Sequence, residues 1–190
     1  MHLRGLCLGL VMSSLSAVPL WASDACDDLW FTRNAIMDRA GYCFGSSLGK
    51  AIFDNTGCTG KSVALDEQAK QAVRQVQRLE KRIGCQVNTS GQSLDLEDLH
   101  IRRQLWHLPL LDELESACLG WLGPATPLSA GHSSTAPQVG LISPGDTIVY
   151  THIPLGSWSY VTTHDANWRY KSAGWLDLSR VTEHCRQSAG

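Results

Sequence analysis

Six cysteines spread along the chain are the feature that most constrains its fold. They are Cys26, Cys43, Cys58, Cys85, Cys118 and Cys185, while a seventh, Cys7, lies in an apolar N-terminal stretch. Structural disulfides persist in oxidising compartments, so an exported chain with an even number of cysteines is expected to pair them. The sequence therefore predicts a fold that is stapled by disulfides.

The spacing of the cysteines removes few of the possible pairings. If residues 27–40 form a helix, its ends are ~20 Å apart, whereas bonded cysteines have Cα atoms within ~7 Å of each other. This excludes a direct bond between Cys26 and Cys43. We favour Cys43 with Cys58 and leave the other pairings open. An acylated Cys26 is a weaker alternative, because Asp24 stands where a lipobox has a small residue.

Residues 1–22 are predicted to be a signal peptide. Arg4 precedes an apolar run over residues 6–20, and that run is shorter than the ~20 residues that a membrane span needs. Cleavage after Ala22 and cleavage after Ala25 both fit the residues, and no later stretch resembles a membrane segment. We therefore expect a mature protein without a transmembrane segment, located in the periplasm or secreted.

Residues 23–123 are predicted to form a helical module that cysteines staple. Apolar residues recur with helical spacing over residues 27–40 and 66–83, and Gly84 follows the second stretch as a helix-ending residue. A third, shorter helix is expected near residues 110–119. This part of the chain supplies the helical component of an α+β protein.

The pattern changes at residues 123–127, where two prolines in five residues predict a linker. Beyond it, apolar and polar residues alternate with a period of two, in short stretches that turn residues separate. A sheet with only a few strands leaves unpaired backbone groups on its edge strands unless it closes into a barrel. Residues 124–182 are therefore predicted to form a small β-barrel, and residues 183–190 a C-terminal tail.

Residues 128–176 resemble the bacterial SH3-like domain family. The motifs that carry the resemblance are, in order, Leu128-Ser129-Ala130-Gly131, Val139-Gly140-Leu141, Pro144-Gly145-Asp146, Trp158-x-Tyr160-Val161 and Gly174-Trp175-Leu176. The resemblance implies that the predicted barrel is SH3-like and that it binds peptides on its surface.

The predicted helix over residues 27–40 resembles the YARHG type of extracellular bacterial module, whose helix reads like LLRNEIYARHG. The matching residues are Leu29, Arg33, Asn34, Ile36, Arg39 and Gly41, and Ala40 stands where that family has histidine. With the later Phe53-x-Asn55-x-x-Cys58, the arrangement is similar to an uncharacterised family of short exported proteins in alphaproteobacteria. This resemblance implies a location and an architecture. For Arg33 and Arg39 we favour a role in the fold over contact with a partner.

The charge balance argues against nucleic acid as a partner. The chain has 16 Lys and Arg against 18 Asp and Glu, with no basic stripe that would neutralise a row of phosphates. Gly57 to Ser62 ends like a phosphate-binding loop, but Asn55 stands where such a loop needs its first glycine. We expect neither a nucleotide nor any other cofactor.

Enzymatic chemistry finds little support in the residue patterns. Six histidines beyond the signal peptide show no spacing typical of a metal site, so no metal is expected. No cysteine has the sequence context of a cell-wall amidase, and no serine lies in a Gly-x-Ser-x-Gly elbow. The prediction is a protein without catalytic activity, with a small cell-wall hydrolase as the alternative.

Aromatic side chains form the best candidate site. Five of them are predicted to bind a ligand in an exposed groove: Tyr150, Trp158, Tyr160, Trp168 and Tyr170. Together with Trp175 they exceed what a small barrel core can enclose, so some are expected at the surface. Trp168, in a turn after Asp165-Ala166-Asn167, is the one that we expect to be exposed.

These observations predict an exported binding or accessory protein of the bacterial cell envelope. Its barrel would bind a peptide, either the stem peptide of peptidoglycan or a segment of an envelope protein. The alternatives are a small cell-wall hydrolase, an inhibitor or regulator of such an enzyme, and a purely structural envelope protein.

Overall fold

The computed structural model describes residues 21–181 and 184–190, so most of the predicted signal peptide lies outside the described residues. Four helices are followed by strands: α1 Trp21–Arg39, α2 Ser47–Phe53, α3 Glu67–Ile83, α4 Leu99–Arg102, β1 Leu111–Trp121, β2 Thr126–Ser129, β3 Gln138–Ile142, β4 Thr147–His152, β5 Trp158–His164, β6 Tyr170–Asp177 and β7 Cys185–Ala189. The α+β class is confirmed.

The two longer predicted helices are confirmed as α1 and α3. Before α3, the Asp66 side chain accepts a hydrogen bond from the Ala69 N–H at 2.7 Å, which satisfies one of the free donors at the helix start. Gly84 ends α3 with φ +71°, a left-handed conformation that glycine adopts without strain. The apolar face of α3 is buried against Leu29 of α1.

The third predicted helix, near residues 110–119, is wrong, because residues 111–119 belong to β1. Ala117 pairs with Val149 and Cys118 with Ile148 of β4, and the other edge of β1 pairs with β7. Cys118 and Trp121 lie in the core of the sheet. Here long-range pairing and burial override the local sequence preference, as strand formation often does.

All strands form one antiparallel sheet in the order β3-β2-β6-β5-β4-β1-β7. The predicted closed barrel is wrong, because the sheet is open, with β3 and β7 at its edges. The predicted linker at residues 123–127 lies between β1 and β2 and includes the first two residues of β2, and the predicted C-terminal tail contains β7. Two strands outside residues 124–182, β1 and β7, extend the sheet. β1 pairs with the edge of β4 that a closed barrel would otherwise have to protect, and β7 pairs with β1.

The two faces of the sheet have separate apolar cores. The first combines residues of six strands, namely Cys118, Trp121, Leu128, Ile142, Ile148, Val161 and Leu176. The second joins Tyr160, Ala173 and Trp175 of the sheet to Ile101 and Leu105 in and after α4. The α4 segment therefore covers the face of the sheet that carries Tyr160.

All six predicted cysteines form disulfides. Cys43 bonds to Cys58, which confirms the favoured pairing. Cys26 of α1 bonds to Cys85 after α3, and Cys118 of β1 bonds to Cys185 of β7. Within the described residues, no helix has the length and apolar character that a membrane span requires.

Candidate functional site

A buried polar network lies where α1, α4 and the sheet meet. Arg102 donates from Nε to Asp98 Oδ1 at 2.8 Å and from Nη2 to Asp28 Oδ2 at 2.6 Å. His152 Nε2 lies 2.9 Å from Asp28 Oδ2, and the Tyr160 hydroxyl donates to Asp98 Oδ2 at 2.7 Å. All five side chains are buried. We call this cluster the polar joint.

The polar joint is held together by opposite charges. Burial alone would raise the pKa of Asp28, but Arg102 and His152 outweigh it and hold that pKa well below its usual range. Burial opposes the charge of Arg102, yet Asp28 and Asp98 raise its pKa above the usual value. Burial and then the negative charge of Asp98 raise the pKa of Tyr160. At neutral pH, Asp28 and Arg102 are therefore ionised and Tyr160 keeps its proton.

The predicted aromatic residues fall in different places. Tyr160 is fully buried in the polar joint, and Tyr150 packs against the core that contains Cys118. Trp158 and Tyr170 are half-buried and pack against the core around Tyr160. Trp168 is 61% exposed, as expected. The structure thus brings Trp158, Tyr160 and Tyr170 to one side of the sheet and places Tyr150 on the other.

A chain of ring contacts leads from the exposed Trp168 through His164 and Tyr170 to His100. The His164 ring lies 6.0 Å from the Trp168 ring and 6.1 Å from the Tyr170 ring, centroid to centroid. His100 contacts the Tyr170 ring edge-on at 5.9 Å, and a Glu97 carboxylate oxygen lies 3.5 Å from His164 Nε2. These residues form what we call the Trp168 face.

The turn between β5 and β6 holds Trp168 in a strained backbone conformation. Its φ is +60°, a left-handed region that costs a residue with a Cβ about 1–2 kcal/mol. Asp165 organises the turn, since its Oδ1 accepts the N–H groups of Asn167 at 2.8 Å and Arg169 at 3.0 Å. Strain in a bulky, exposed residue is a feature that marks functional positions.

Two buried polar atoms of the Trp168 face have no hydrogen-bond partner among the described residues. They are Tyr170 Oη and His164 Nδ1. Burial, followed by the charge of Asp98, raises the pKa of Tyr170, so its hydroxyl keeps its proton and can donate. A buried polar atom without a partner is uncommon, because leaving it unpaired costs about 1–3 kcal/mol. The Trp168 face therefore combines an exposed ring with two buried polar groups that are unpaired within the described residues.

The comparisons with known proteins identify the family. Residues 84–190, more than half of the chain, match the family model described as Domain of unknown function (DUF4453). The chain belongs to the DUF4453 family. The match includes the entire sheet of this DUF4453 protein, together with α4 and both Asp98 and Arg102.

The N-terminal part of the DUF4453 protein matches the family model described as YARHG domain over residues 10–81. This confirms the YARHG-like module, and the match covers α1, α2 and most of α3. YARHG domains are typically extracellular, so together with the disulfides they indicate an exported protein. No curated protein and no solved structure is significantly similar to the chain.

The arginines of the YARHG motif serve the fold of this DUF4453 protein. Arg33 Nε lies 3.1 Å from both carboxylate oxygens of Glu80, which ties α1 to α3. Arg39 donates to the carbonyl oxygens of Leu105 at 2.6 Å and Trp106 at 3.1 Å. Both contacts agree with the favoured structural role.

Sequence reasoning missed most of the polar joint of the DUF4453 protein. Asp98 and Arg102 are four residues apart, a spacing that pairs opposite charges on one helix face, and this signal was available. Asp28 and His152 are 124 residues apart along the chain, and no local pattern connects them.

Proposed function

We propose that this DUF4453 protein is an exported, non-enzymatic binding protein of the bacterial cell envelope, and that its Trp168 face holds the stem peptide of peptidoglycan. The observation that carries the proposal is Trp168 itself. A tryptophan that is 61% exposed and held at φ +60° leaves apolar surface in water and carries a conformational cost. A ligand that stacks on the indole would account for both properties.

The chemistry of the Trp168 face fits an extended peptide. The indole supplies a flat apolar surface, while the Glu97 carboxylate, 3.5 Å from His164 Nε2 and 64% exposed, supplies an acceptor suited to a peptide N–H group. Stem peptides offer such N–H groups beside small apolar side chains. The resemblance of residues 128–176 to peptide-binding SH3-like domains supports the same class of ligand.

Three features support the envelope location and the absence of catalysis. The YARHG domain is of an extracellular type, and the disulfides require an oxidising compartment. The six cysteines from Cys26 to Cys185 are all bonded, so none of them offers the thiolate that a cysteine hydrolase needs.

Co-sedimentation with purified peptidoglycan sacculi tests the proposal. We expect the protein to be retained, and Trp168→Ala to weaken retention by about tenfold or more, as for a central aromatic contact. Trp106→Ala is the matched control, because Trp106 is another exposed tryptophan, 50% accessible, outside the Trp168 face. It should retain the affinity of the unaltered protein.

Three outcomes would overturn the proposal. If sacculi do not retain the protein, the Trp168 face does not bind peptidoglycan, and a structural role becomes the better account. If Trp168→Ala and Trp106→Ala bind equally well, the site is elsewhere. If soluble fragments are released from the sacculi, the protein is a hydrolase.

A further inference from the structure

A concave surface lies between α1, α2 and α4, in the N-terminal half of the molecule. It has a volume of about 290 Å³ and is lined by Phe31, Ala35, Asp38, Arg39, Ala51, Ile52, Phe53, Asp54, Arg102 and Arg103. We call it the helical cleft. Ligand pockets generally measure roughly 300–1,000 Å³, so this volume suits a small molecule.

One wall of the helical cleft is apolar and aromatic. Phe31 and Phe53 stack with their ring centroids 5.6 Å apart, and Ile52 is buried beside them. The wall is firmly supported, because Phe53 also stacks on Phe44 at 4.7 Å. An apolar side chain of a ligand would find a preformed surface here.

Two carboxylates of the helical cleft have arginines nearby, Arg39 for Asp38 and Arg103 for Asp54, but form no salt bridge among the described residues. Within the described part of the chain, neither Asp38 nor Asp54 lies within 4.0 Å of a Lys or Arg nitrogen. Burial and the neighbouring charge of Asp54 raise the pKa of Asp38. Asp54 also has φ +51°, an uncommon conformation outside glycine that marks a local constraint.

The helical cleft also contains guanidinium groups with donors to spare. Arg102 is only 2% exposed, and its Nη1 has no acceptor among the described residues, although Nε and Nη2 are bonded in the polar joint. Arg103 is exposed and donates from Nη2 to the Ile52 carbonyl oxygen at 2.9 Å. A buried guanidinium donor without an acceptor is a costly feature that a ligand oxygen would relieve.

We propose that the helical cleft binds a free α-amino acid with an apolar side chain. Its ammonium group would lie near Asp38 and Asp54, its carboxylate near Arg102 and Arg103, and its side chain against Phe31 and Phe53. A zwitterion matches the cleft because its lining presents carboxylates and guanidinium groups side by side. The two carboxylates would repel a ligand that carries only negative charge, and the guanidinium groups would repel one that carries only positive charge.

Isothermal titration calorimetry on the full exported protein tests this proposal with defined probes. We expect L-leucine and L-phenylalanine to bind saturably. Their N-acetyl derivatives lack the ammonium group and their amides lack the carboxylate, so each should bind about tenfold more weakly or worse. No saturable binding of either amino acid, or equal binding of the derivatives, would overturn the proposal.

Two variants locate the site. Asp38→Asn and Arg103→Gln should each weaken amino-acid binding by about tenfold or more. Arg74→Gln, which removes an exposed arginine from α3, should bind like the unaltered protein. Melting curves report whether each variant is folded, and unchanged affinity in a folded Asp38→Asn protein would contradict the assignment.

The helical cleft and the Trp168 face are independent in this scheme. Trp168→Ala should lose retention on sacculi and keep its affinity for amino acids, whereas Asp38→Asn should do the reverse. If Trp168→Ala also lost amino-acid binding, the assignment of the amino acid to the helical cleft would be wrong.

Discussion

Tyr160 and Tyr170 lie on neighbouring strands of one sheet, and their hydroxyl groups differ in hydrogen bonding. The Tyr160 hydroxyl is fully buried and donates to Asp98 at 2.7 Å. The Tyr170 hydroxyl is also buried, but it has no partner in the described residues. The polar joint thus uses its hydrogen-bonding capacity internally, whereas the Trp168 face leaves some unused. The difference separates a structural cluster from a surface that is suited to binding.

The backbone shows the same contrast. Arg102 and Asp98 are four residues apart in and next to the α4 turn, where their ion pair forms without any positive φ. Trp168 stands at φ +60° and presents its ring to solvent. The strained Trp168 therefore lies at the face that we propose for a stem peptide, and the buried charge pairs lie where the helical and sheet parts join.

Loss of Arg102 should have the largest effect. Arg102→Met leaves Asp28 and Asp98 buried without their cation, so we expect the free energy of unfolding to fall by about 3–5 kcal/mol. Arg82→Met is the control, because Arg82 pairs with Glu113 at the surface and its loss should cost less than about 1 kcal/mol. Urea unfolding measures both. Equal losses would show that the polar joint is not a structural cluster.

Removal of the two tyrosine hydroxyls, one at a time, tests the difference between the bonded hydroxyl of Tyr160 and the unpaired hydroxyl of Tyr170. Tyr160→Phe breaks a buried hydrogen bond to a charged group and should cost about 1.5–3 kcal/mol. Tyr170→Phe removes a hydroxyl without a partner in the described residues and should leave the stability unchanged or raise it. The urea midpoints of unfolding of the two variants measure the difference. A larger loss of stability in Tyr170→Phe than in Tyr160→Phe would contradict this prediction.

The polar joint should also make stability depend on pH in the acid range. The folded-state pKa of Asp28 is lower than the value near 4 of an unfolded chain. Its contribution is therefore complete above pH ~4 and is lost as the pH falls below that value, by at most about 1.4 kcal/mol per pH unit. Asp28→Asn should flatten the stability profile below pH ~4, whereas an unchanged slope would assign the effect to other carboxyl groups.

Substitution of Trp168 by glycine should have the smallest effect on stability, and it should stabilise the protein where the loss of Arg102 or of the Tyr160 hydroxyl destabilises it. Trp168→Gly relieves the left-handed conformation and should raise the free energy of unfolding by about 1 kcal/mol. Trp168→Ala keeps the conformational cost and should show no such gain. Thermal unfolding of both variants measures the difference. A marked loss of stability in Trp168→Gly would mean that the indole supports the fold.

Local chemistry made parts of the fold predictable from the sequence. The N-cap Asp66 and the terminal Gly84 bracket α3, and the short loop between Cys43 and Cys58 favours their pairing. The strand β1 was not predictable in this way, because its acidic N-terminal half lacks alternation and its pairing with β4 and β7 is long-range. Burial of β1 in the sheet decides its conformation.

The candidate sites show the same limit. Trp168 follows turn residues, and its exposure was expected from that position. Tyr160 looked equally suited to a groove, but it is buried because Arg102 of α4 and Asp98, which precedes α4, cover that side of the sheet. The helical cleft depends on residues from three helices, and only their packing reveals it.

The most direct test of the central claim is the ¹H–¹⁵N NMR spectrum of the protein during titration with soluble muropeptides that carry the stem peptide. The indole Nε1–H signal of Trp168, assigned by its absence in Trp168→Ala, should shift saturably together with the amide signals of His164 and Tyr170. The indole signal of Trp106 should stay in place. An unchanged Trp168 signal at saturating ligand, or shifts confined to Trp106, would contradict the assignment of the ligand to the Trp168 face.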